Sequence, residues 1–131
     1  MPFYYVQIAP YKYENSSNTG AALLREAQME ALKTIPNSGM VPTTDIGDEF
    51  CIHPPQKDVV GLRLATLALT KTYGLHKCPS SGPMMTKVEY SKNKEIVTLD
   101  NDPSGQAPGN CEVEGSEITG EDKKIYQSKA R

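Results

Sequence analysis

The segment from Asp45 to Pro55 holds the residue types whose spacing could support catalysis. His53, one of two histidines in the 131-residue chain, follows two aspartates, Asp45 and Asp48, along this segment. A neutral imidazole can take a proton from a nucleophile while a carboxylate holds its other ring nitrogen. His53 is therefore a candidate general base, and the prolines that follow it would restrict the direction of its side chain.

Two other interpretations of this segment stay open on spacing alone. Asp48 could cap a turn and leave His53 as a partly exposed loop residue without a chemical role. Asp45, Asp48, Cys51 and His53 could ligate a metal, but their spacing matches no recognised ligand pattern, so we predict no metal and no cofactor. His76, the second histidine, is predicted to lie at a helix end or on the surface. No serine lies in a G-x-S-x-G turn, so spacing supplies a base without a nucleophile.

The elements around this segment alternate between strand and helix patterns. Residues 3–9 are an apolar and aromatic run that ends at Pro10, which predicts a strand covered on both faces. The patterns that follow predict an amphipathic helix over residues 21–35, a weaker strand over 40–44, and a more deeply buried helix from about 56 to 73, stopped by Gly74. This order predicts an α/β fold with half of a doubly wound parallel sheet.

Beyond residue 78 the pattern changes to short β segments. We predict a hairpin and three further short strands, at Thr86–Ser91 with Glu95–Asp100, and at Cys111–Glu114, Glu117–Thr119 and Ile125–Tyr126. The chain therefore divides into residues 1–78, an α/β unit, and 79–131, a β-rich partial domain with too little apolar surface for its own core. The three cysteines are an odd number with wide spacing, which predicts ordinary thiols.

The bulk composition argues against two classes of partner. The formal charge is −2 and the pI is near 5.7, and lysines and arginines form no cluster that would contact phosphates. No apolar run approaches the ~20 residues that a membrane-spanning helix needs. We therefore predict no nucleic-acid partner and no membrane partner.

Several motifs along the chain carry a likeness to known proteins. They are PFYYVQIAPY at 2–11, LREAQ at 24–28, GM at 39–40, TDIGD at 44–48, IHP at 52–54, KDVVGLRLA at 57–65, YG at 73–74, GEDKK at 120–124 and SKA at 128–130. On these motifs the chain resembles the sialate O-acetylesterase family, serine esterases of the SGNH-hydrolase type. The resemblance covers nearly the whole chain and is most specific in residues 2–11 and 39–65.

The resemblance implies a fold and a chemistry. The fold would be part of the doubly wound, flavodoxin-like parallel sheet of SGNH hydrolases, followed by an incomplete β-rich domain. In the family the histidine of the I-H-P motif is the general base, so this role is expected of His53. The base would activate a serine to attack an acetyl ester, and water would then cleave the acetyl-enzyme. The expected substrates are O-acetylated sialic acids or related acetylated sugars.

This chain departs from the family pattern in its carboxylate. Many relatives have an aspartate two residues before the histidine, where this chain has Cys51, and the wider superfamily often has one at the position of Phe50. We expect Asp48, or as second choice Asp45, to orient His53, because both match the family's D-x-G-D pattern.

The chain also departs from the family in its nucleophile. The G-Q-S-N-like turn that carries the family's serine does not occur in these residues, nor do the Gly and Asn of the oxyanion hole. We therefore expect a piece of a longer esterase that is inactive alone, from a parent protein that is periplasmic, secreted or lysosomal. Its incomplete sheet would favour self-association through an exposed edge.

Two other functions compete with this expectation. The chain could be a noncatalytic module whose β-rich part contacts carbohydrate or the rest of the protein. It could also belong to an acetylesterase acting on plant polysaccharides, since the chemistry would be the same.

Overall fold

The chain divides into two units, Met1–Gly82 and Pro83–Arg131, in the computed structural model. The structure describes residues 1–13, 19–76, 80–92, 94–100, 117–121 and 124–128. The identity of the first unit as an esterase domain, and of the second as a partial β domain, stays a prediction. No helix in the described ranges is both long enough and apolar enough to cross a bilayer.

The first unit is a parallel strand pair with two helices. Its elements in chain order are β1 (Phe3–Val6), α1 (Gly20–Thr34), β2 (Ser38–Val41) and α2 (Lys57–Lys71). The two strands are parallel, with Tyr4 beside Gly39 and Tyr5 beside Met40. The predicted α/β class and the parallel pairing are confirmed, as are both helices. Gly74, the predicted stop, lies just beyond α2 with a φ of +69°.

The second strand lies earlier in the chain than predicted. The prediction was residues 40–44, but β2 spans Ser38–Val41 and ends at the residue before Pro42, which has no N–H to donate to a ladder. Gly39 was not recognised as a strand residue because glycine is depleted in strands. A Cβ at Gly39 would lie 2.9 Å from Cδ2 of Leu67 and 2.9 Å from Cδ1 of Tyr4. Glycine at this position therefore lets α2 pack directly on the strand pair.

The first strand is covered less fully than predicted. Phe3 is 53% exposed and Val6 is 37% exposed, because one helix on each side of two strands leaves their ends open. The apolar face predicted for the first helix is also open, since no residue of α1 is buried. Leu67 of α2 is buried, so the prediction that the second helix is the more deeply buried one is confirmed.

The two helices attach to opposite faces of the strand pair. Adjacent residues of a strand point to opposite sides. The hydroxyl of Tyr4 lies 2.7 Å from Oγ1 of Thr72, at the end of α2, while the hydroxyl of Tyr5 donates to the carbonyl oxygen of Gln28 in α1 at 2.5 Å. A doubly wound sheet repeats this arrangement over more strands than these two, so that part of the fold stays a prediction.

In its described residues, the second unit has two antiparallel strand pairs. The predicted hairpin is confirmed as β3 (Met84–Ser91) paired with β4 (Lys94–Asp100), and the predicted later strands as β5 (Glu117–Thr119) paired with β6 (Ile125–Gln127). The strand predicted at Cys111–Glu114 lies outside the described residues. No residue of β3 or β4 is buried, and Tyr90 is 78% exposed.

Candidate active site

The connection from β2 to α2 is the candidate site, and we call residues 42–56 the His53 loop. It leaves the carboxyl end of β2, and because β1 is parallel to β2, the carboxyl end of β1 lies at the same edge. In open α/β sheets, ligands bind outside the carboxyl ends of the strands. The loop therefore carries its histidine and aspartates at the edge where this class of fold performs chemistry.

Buried contacts hold the start of the His53 loop against the end of β1. Thr43 is 1% exposed, and its hydroxyl donates to the carbonyl oxygen of Gln7 at 3.0 Å. Ile46 is buried and its amide donates to the carbonyl oxygen of Thr43 at 3.2 Å. A Cβ at Gly47 would lie 2.5 Å from Cδ of Pro10, so the loop backbone lies flat against the proline ring.

Asp45 is engaged by Arg63 of α2. Nη1 of Arg63 donates to Oδ1 of Asp45 at 2.7 Å, and Nη2 donates to Oδ2. Nη1 also donates to the carbonyl oxygen of Pro42 at 2.8 Å. The hydrogen bonds from Arg63 lower the pKa of Asp45, and the same hydrogen bonds raise the pKa of Arg63. Both carboxylate oxygens of Asp45 therefore face the guanidinium.

Asp48 caps the turn that follows it. Its Oδ1 accepts hydrogen bonds from the backbone amides of Phe50 at 2.7 Å and Cys51 at 3.1 Å. This is the turn geometry expected of aspartate. The capping role considered as an alternative for Asp48 is therefore present in the structure.

His53 lies on the exposed part of the loop. Its side chain is exposed, and within the described residues no hydrogen bond joins it to Asp45 or Asp48. The thiol of Cys51 donates to the backbone carbonyl oxygen of His53 at 3.2 Å, and the next residue, Pro54, is buried. The structure thus holds the backbone on both sides of His53 and leaves its imidazole open, and the carboxylate that orients it stays a prediction.

The other candidate ligands do not converge. In the described part of the chain, no three His, Cys, Asp or Glu side chains lie together in a way that could hold a metal ion. Cys51 is a free, exposed thiol, while Cys78 and Cys111 lie outside the described residues. His76 is exposed beyond the end of α2, as predicted.

A cavity of about 620 Å³ lies at the other end of the strand pair. It is lined by residues 32–38, which run from the last turn of α1 to the first residue of β2, and by Lys71. No histidine, cysteine or carboxylate contributes to its lining. The cavity lining therefore supplies lysines and hydroxyls, but no imidazole or carboxylate that could activate a hydroxyl.

The sequence did not single out Arg63 as part of the site. It lies 18 positions after Asp45, so neither residue marks the other in a local pattern. The one available signal was its place in KDVVGLRLA, one of the motifs of the resemblance.

Comparisons with known proteins give relatives for most of the chain, although no protein-family model matches it. The sialate O-acetylesterase of Rattus norvegicus is 30% identical over 110 residues, and that of Mus musculus is 29% identical over 110 residues. Each match covers 77% of this chain and 20% of the relative, so the chain spans about a fifth of the length of these curated proteins.

A solved structure agrees with these matches. The crystal structure of a carbohydrate acetylesterase from Xanthomonas citri superposes with a TM-score of 0.84 at 32% sequence identity. The match covers 99% of this chain and 30% of that chain. The resemblance to the sialate O-acetylesterase family is confirmed by these relatives.

Proposed function

We propose that this chain, a relative of the sialate O-acetylesterases, forms part of a carbohydrate O-acetylesterase that hydrolyses acetyl esters of sialic acid or related sugars. The observation that carries the proposal is the position of His53 at the carboxyl edge of the parallel strands, in a chain that matches an acetylesterase structure over 99% of its length. This edge is where an α/β hydrolase brings its base to its substrate.

His53 acts as the general base of this reaction. Its imidazole takes the proton from a serine hydroxyl that lies outside these 131 residues, and the serine oxygen attacks the acetyl carbonyl carbon. The imidazolium then gives the proton to the departing sugar oxygen. In the second half of the reaction His53 takes a proton from water as the water oxygen attacks the acetyl carbon, and it returns that proton to the serine oxygen as acetate leaves. The exposure of the imidazole supports this role, because a hydroxyl from another segment can reach it.

Asp48 is the better candidate than Asp45 for orienting the imidazole. Both oxygens of Asp45 accept hydrogen bonds from Arg63. Asp48 uses Oδ1 for the amides of the turn, and its Oδ2 has no hydrogen bond to any described residue. An acceptor is thus left on Asp48 for the imidazole of His53.

The strand pair belongs to a larger doubly wound sheet in this proposal. Parallel sheets occur almost always with both faces covered and with more than two strands. The helices on opposite faces of β1 and β2 support this assignment, as do the exposed ends of β1. Until the remaining strands pair with it, the open edge is where isolated chains would self-associate.

The choice of sugar is tested together with the activity. The solved relative is called a carbohydrate acetylesterase, which is broader than a sialate esterase, so acetylated plant polysaccharide belongs in the same assay. Acetate release would be measured from a 9-O-acetylated sialic acid and from acetylated xylan. The chain would be assayed alone and then mixed with the part of the Xanthomonas citri enzyme that it does not match.

We expect acetate release only in the mixture. His53→Ala should reduce it by a factor on the order of 10² to 10⁴, which is the usual contribution of a general base. His76→Ala is the matched control, because it removes the second exposed histidine and should leave the rate unchanged.

Two results would contradict the proposal. Turnover by the chain alone that is lost in His53→Ala would place a nucleophile within these residues. A folded mixture with no activity on either substrate would favour the noncatalytic module, whose carbohydrate binding could then be measured by calorimetry.

A further inference from the structure

The guanidinium of Arg63 joins helix α2 to two points at the start of the His53 loop. One nitrogen contacts both the carbonyl oxygen of Pro42 and Oδ1 of Asp45, and the other contacts Oδ2 of Asp45. The Arg63 side chain is 30% exposed, so water competes less for it than for an ordinary surface arginine. A bidentate ion pair of this kind restrains the relative orientation of the two side chains as well as the distance between them.

We propose that Arg63 is a positioning residue for His53. It fixes the first turn of the His53 loop, and it keeps Asp45 away from the imidazole. The inference rests on the proposed function, because His53 needs positioning only if it acts as a base.

Helix α2 sets both ends of the segment that carries His53. At the far end, Pro54 is buried and the chain enters α2 at Lys57. At the near end, Arg63 of the same helix holds Pro42 and Asp45. The residues between, from Phe50 to His53, are all exposed. A shift of the first turn would therefore move the imidazole, since the exposed residues have little packing of their own.

A second ion pair at the loop, between Lys12 and Glu49, is longer and more exposed to solvent. Nζ of Lys12 lies 3.3 Å from Oε1 of Glu49, and the two side chains are 67% and 59% exposed. Such exposed pairs contribute little to stability. Lys12 therefore provides a control that contacts the same loop and has the same change of charge as Arg63.

Arg63 also determines which carboxylate is available to the imidazole. Asp45 and Asp48 both lie on the His53 loop, but both carboxylate oxygens of Asp45 accept hydrogen bonds from the guanidinium of Arg63. Without Arg63, Asp45 would become a second acceptor that competes for the ring. Loss of Arg63 would thus harm the site in two separable ways, by loosening the turn and by releasing a carboxylate.

The first experiment measures the order of the loop in the 131-residue chain by NMR. Amide hydrogen exchange would be followed at Ile46, Phe50 and Cys51, and the ring signals of His53 would be compared with those of His76 as an internal reference. In Arg63→Ala we expect these amides to exchange about tenfold faster, the change that corresponds to losing one charge-assisted hydrogen bond. Lys12→Ala should change exchange by less than about twofold.

The second experiment measures kinetics in the active mixture. Arg63→Ala should lower kcat by about tenfold or more with little change in KM, because a displaced base weakens the transition state rather than substrate binding. Arg63→Lys, which keeps the charge but not the fork, should recover part of the loss. If released Asp45 adds to the defect, the double variant Arg63→Ala with Asp45→Asn should be more active than Arg63→Ala.

The outcomes separate this inference from the proposed function. Unchanged exchange and unchanged His53 ring signals in Arg63→Ala would overturn the positioning role, whether or not the mixture is active. A kcat equal to that of the unmodified protein would also overturn it and leave Arg63 as a stabilising residue only. If the unmodified mixture is inactive, the proposed function fails, and the His53 ring signals alone decide whether Arg63 positions this side chain.

Discussion

The two ends of the β1–β2 strand pair differ in the chemical groups that they would present to a ligand. The carboxyl edge carries His53 and Asp48 on an exposed loop whose start is held by Arg63 and Pro10. At the amino ends of the strands lies a cavity of about 620 Å³, and its lining includes Lys33 and Lys71 but no histidine, cysteine or carboxylate. The candidate histidine and the concave surface therefore lie at opposite ends of the same two strands.

In the proposed function, the cavity at the amino ends of the strands is not the site. An active site combines a pocket with titratable groups in a workable geometry. The described residues supply the groups at one edge, and the walls of a substrate pocket at that edge would come from other residues. In the proposed function, the walls and the serine come from the same missing part of the enzyme.

After the loss of the base itself in His53→Ala, the largest effect at the carboxyl ends of the strands is expected from Gly47→Ala. The added Cβ would lie 2.5 Å from Cδ and 2.6 Å from Cβ of Pro10, and a proline ring cannot bend away. We expect the free energy of unfolding to fall by about 1–3 kcal/mol. Acetate release by the active mixture should fall by about 10- to 100-fold as the loop moves. Urea unfolding and the acetate assay would measure the two changes.

Gly61→Ala is the matched control for that substitution. Gly61 lies in α2 with nothing within 4 Å of its added Cβ, so alanine there should stabilise the helix by about 0.5–1 kcal/mol. If Gly47→Ala were as harmless as Gly61→Ala, the contact with Pro10 would not hold the loop.

A smaller effect is expected from protonation of Asp45. Its folded pKa is lowered, so its pairing with Arg63 stabilises the fold above the pKa of the unfolded chain. That contribution is lost as the pH falls through the folded pKa, which lies below the ordinary aspartate value of about 3.9. Because the Asp45 side chain is 59% exposed, solvent screening should keep the contribution under about 1 kcal/mol.

The test compares the unmodified chain with Asp45→Asn by urea unfolding at several pH values. The difference in unfolding free energy should be present at neutral pH and should shrink below about pH 4. A difference that persists unchanged at pH 2 would mean that the charge of Asp45 does not stabilise the loop.

The smallest effect is expected at the amino edge, from Lys33→Met. Lys33 lines the cavity and pairs with Glu30 one helical turn away, at 2.7 Å, with both side chains exposed. Such pairs contribute about 0.2–0.5 kcal/mol, so stability should hardly change. Acetate release should stay within about twofold of the unmodified mixture, a change of under about 0.5 kcal/mol. A tenfold loss would mean that the amino edge takes part in the reaction.

Local sequence patterns predicted the helices and strands well where a single residue type, such as proline or glycine, determines where an element ends. Pro36 and Gly74 delimit the two helices as expected, and the hairpin of β3 and β4 follows from two β-rich runs around a short turn. The second strand was misplaced because Ser38 and Gly39 have low strand propensity. The place of Gly39 in β2 follows from packing against Leu67, a contact that no local pattern contains.

The candidate site was predicted in part. The position of His53 in a loop before a helix followed from the sequence, and its expected chemistry came from the resemblance. The partner of Asp45 could not be predicted, because Arg63 reaches it across 18 positions only after the loop and α2 have folded together. The turn made by Asp48 was foreseen as an alternative, since aspartate often caps the amides that follow it.

The paired hydrogen bonds of Tyr4 and Tyr5 have a spectroscopic consequence. The chain has seven tyrosines and no tryptophan, so its near-ultraviolet absorbance comes chiefly from phenol rings. One phenol is hydrogen-bonded at the end of α2 and its neighbour is hydrogen-bonded to α1. Burial also raises the pKa of Tyr5. Difference spectra of Tyr4→Phe and Tyr5→Phe would therefore follow the release of each helix separately, with native chromophores and no introduced label.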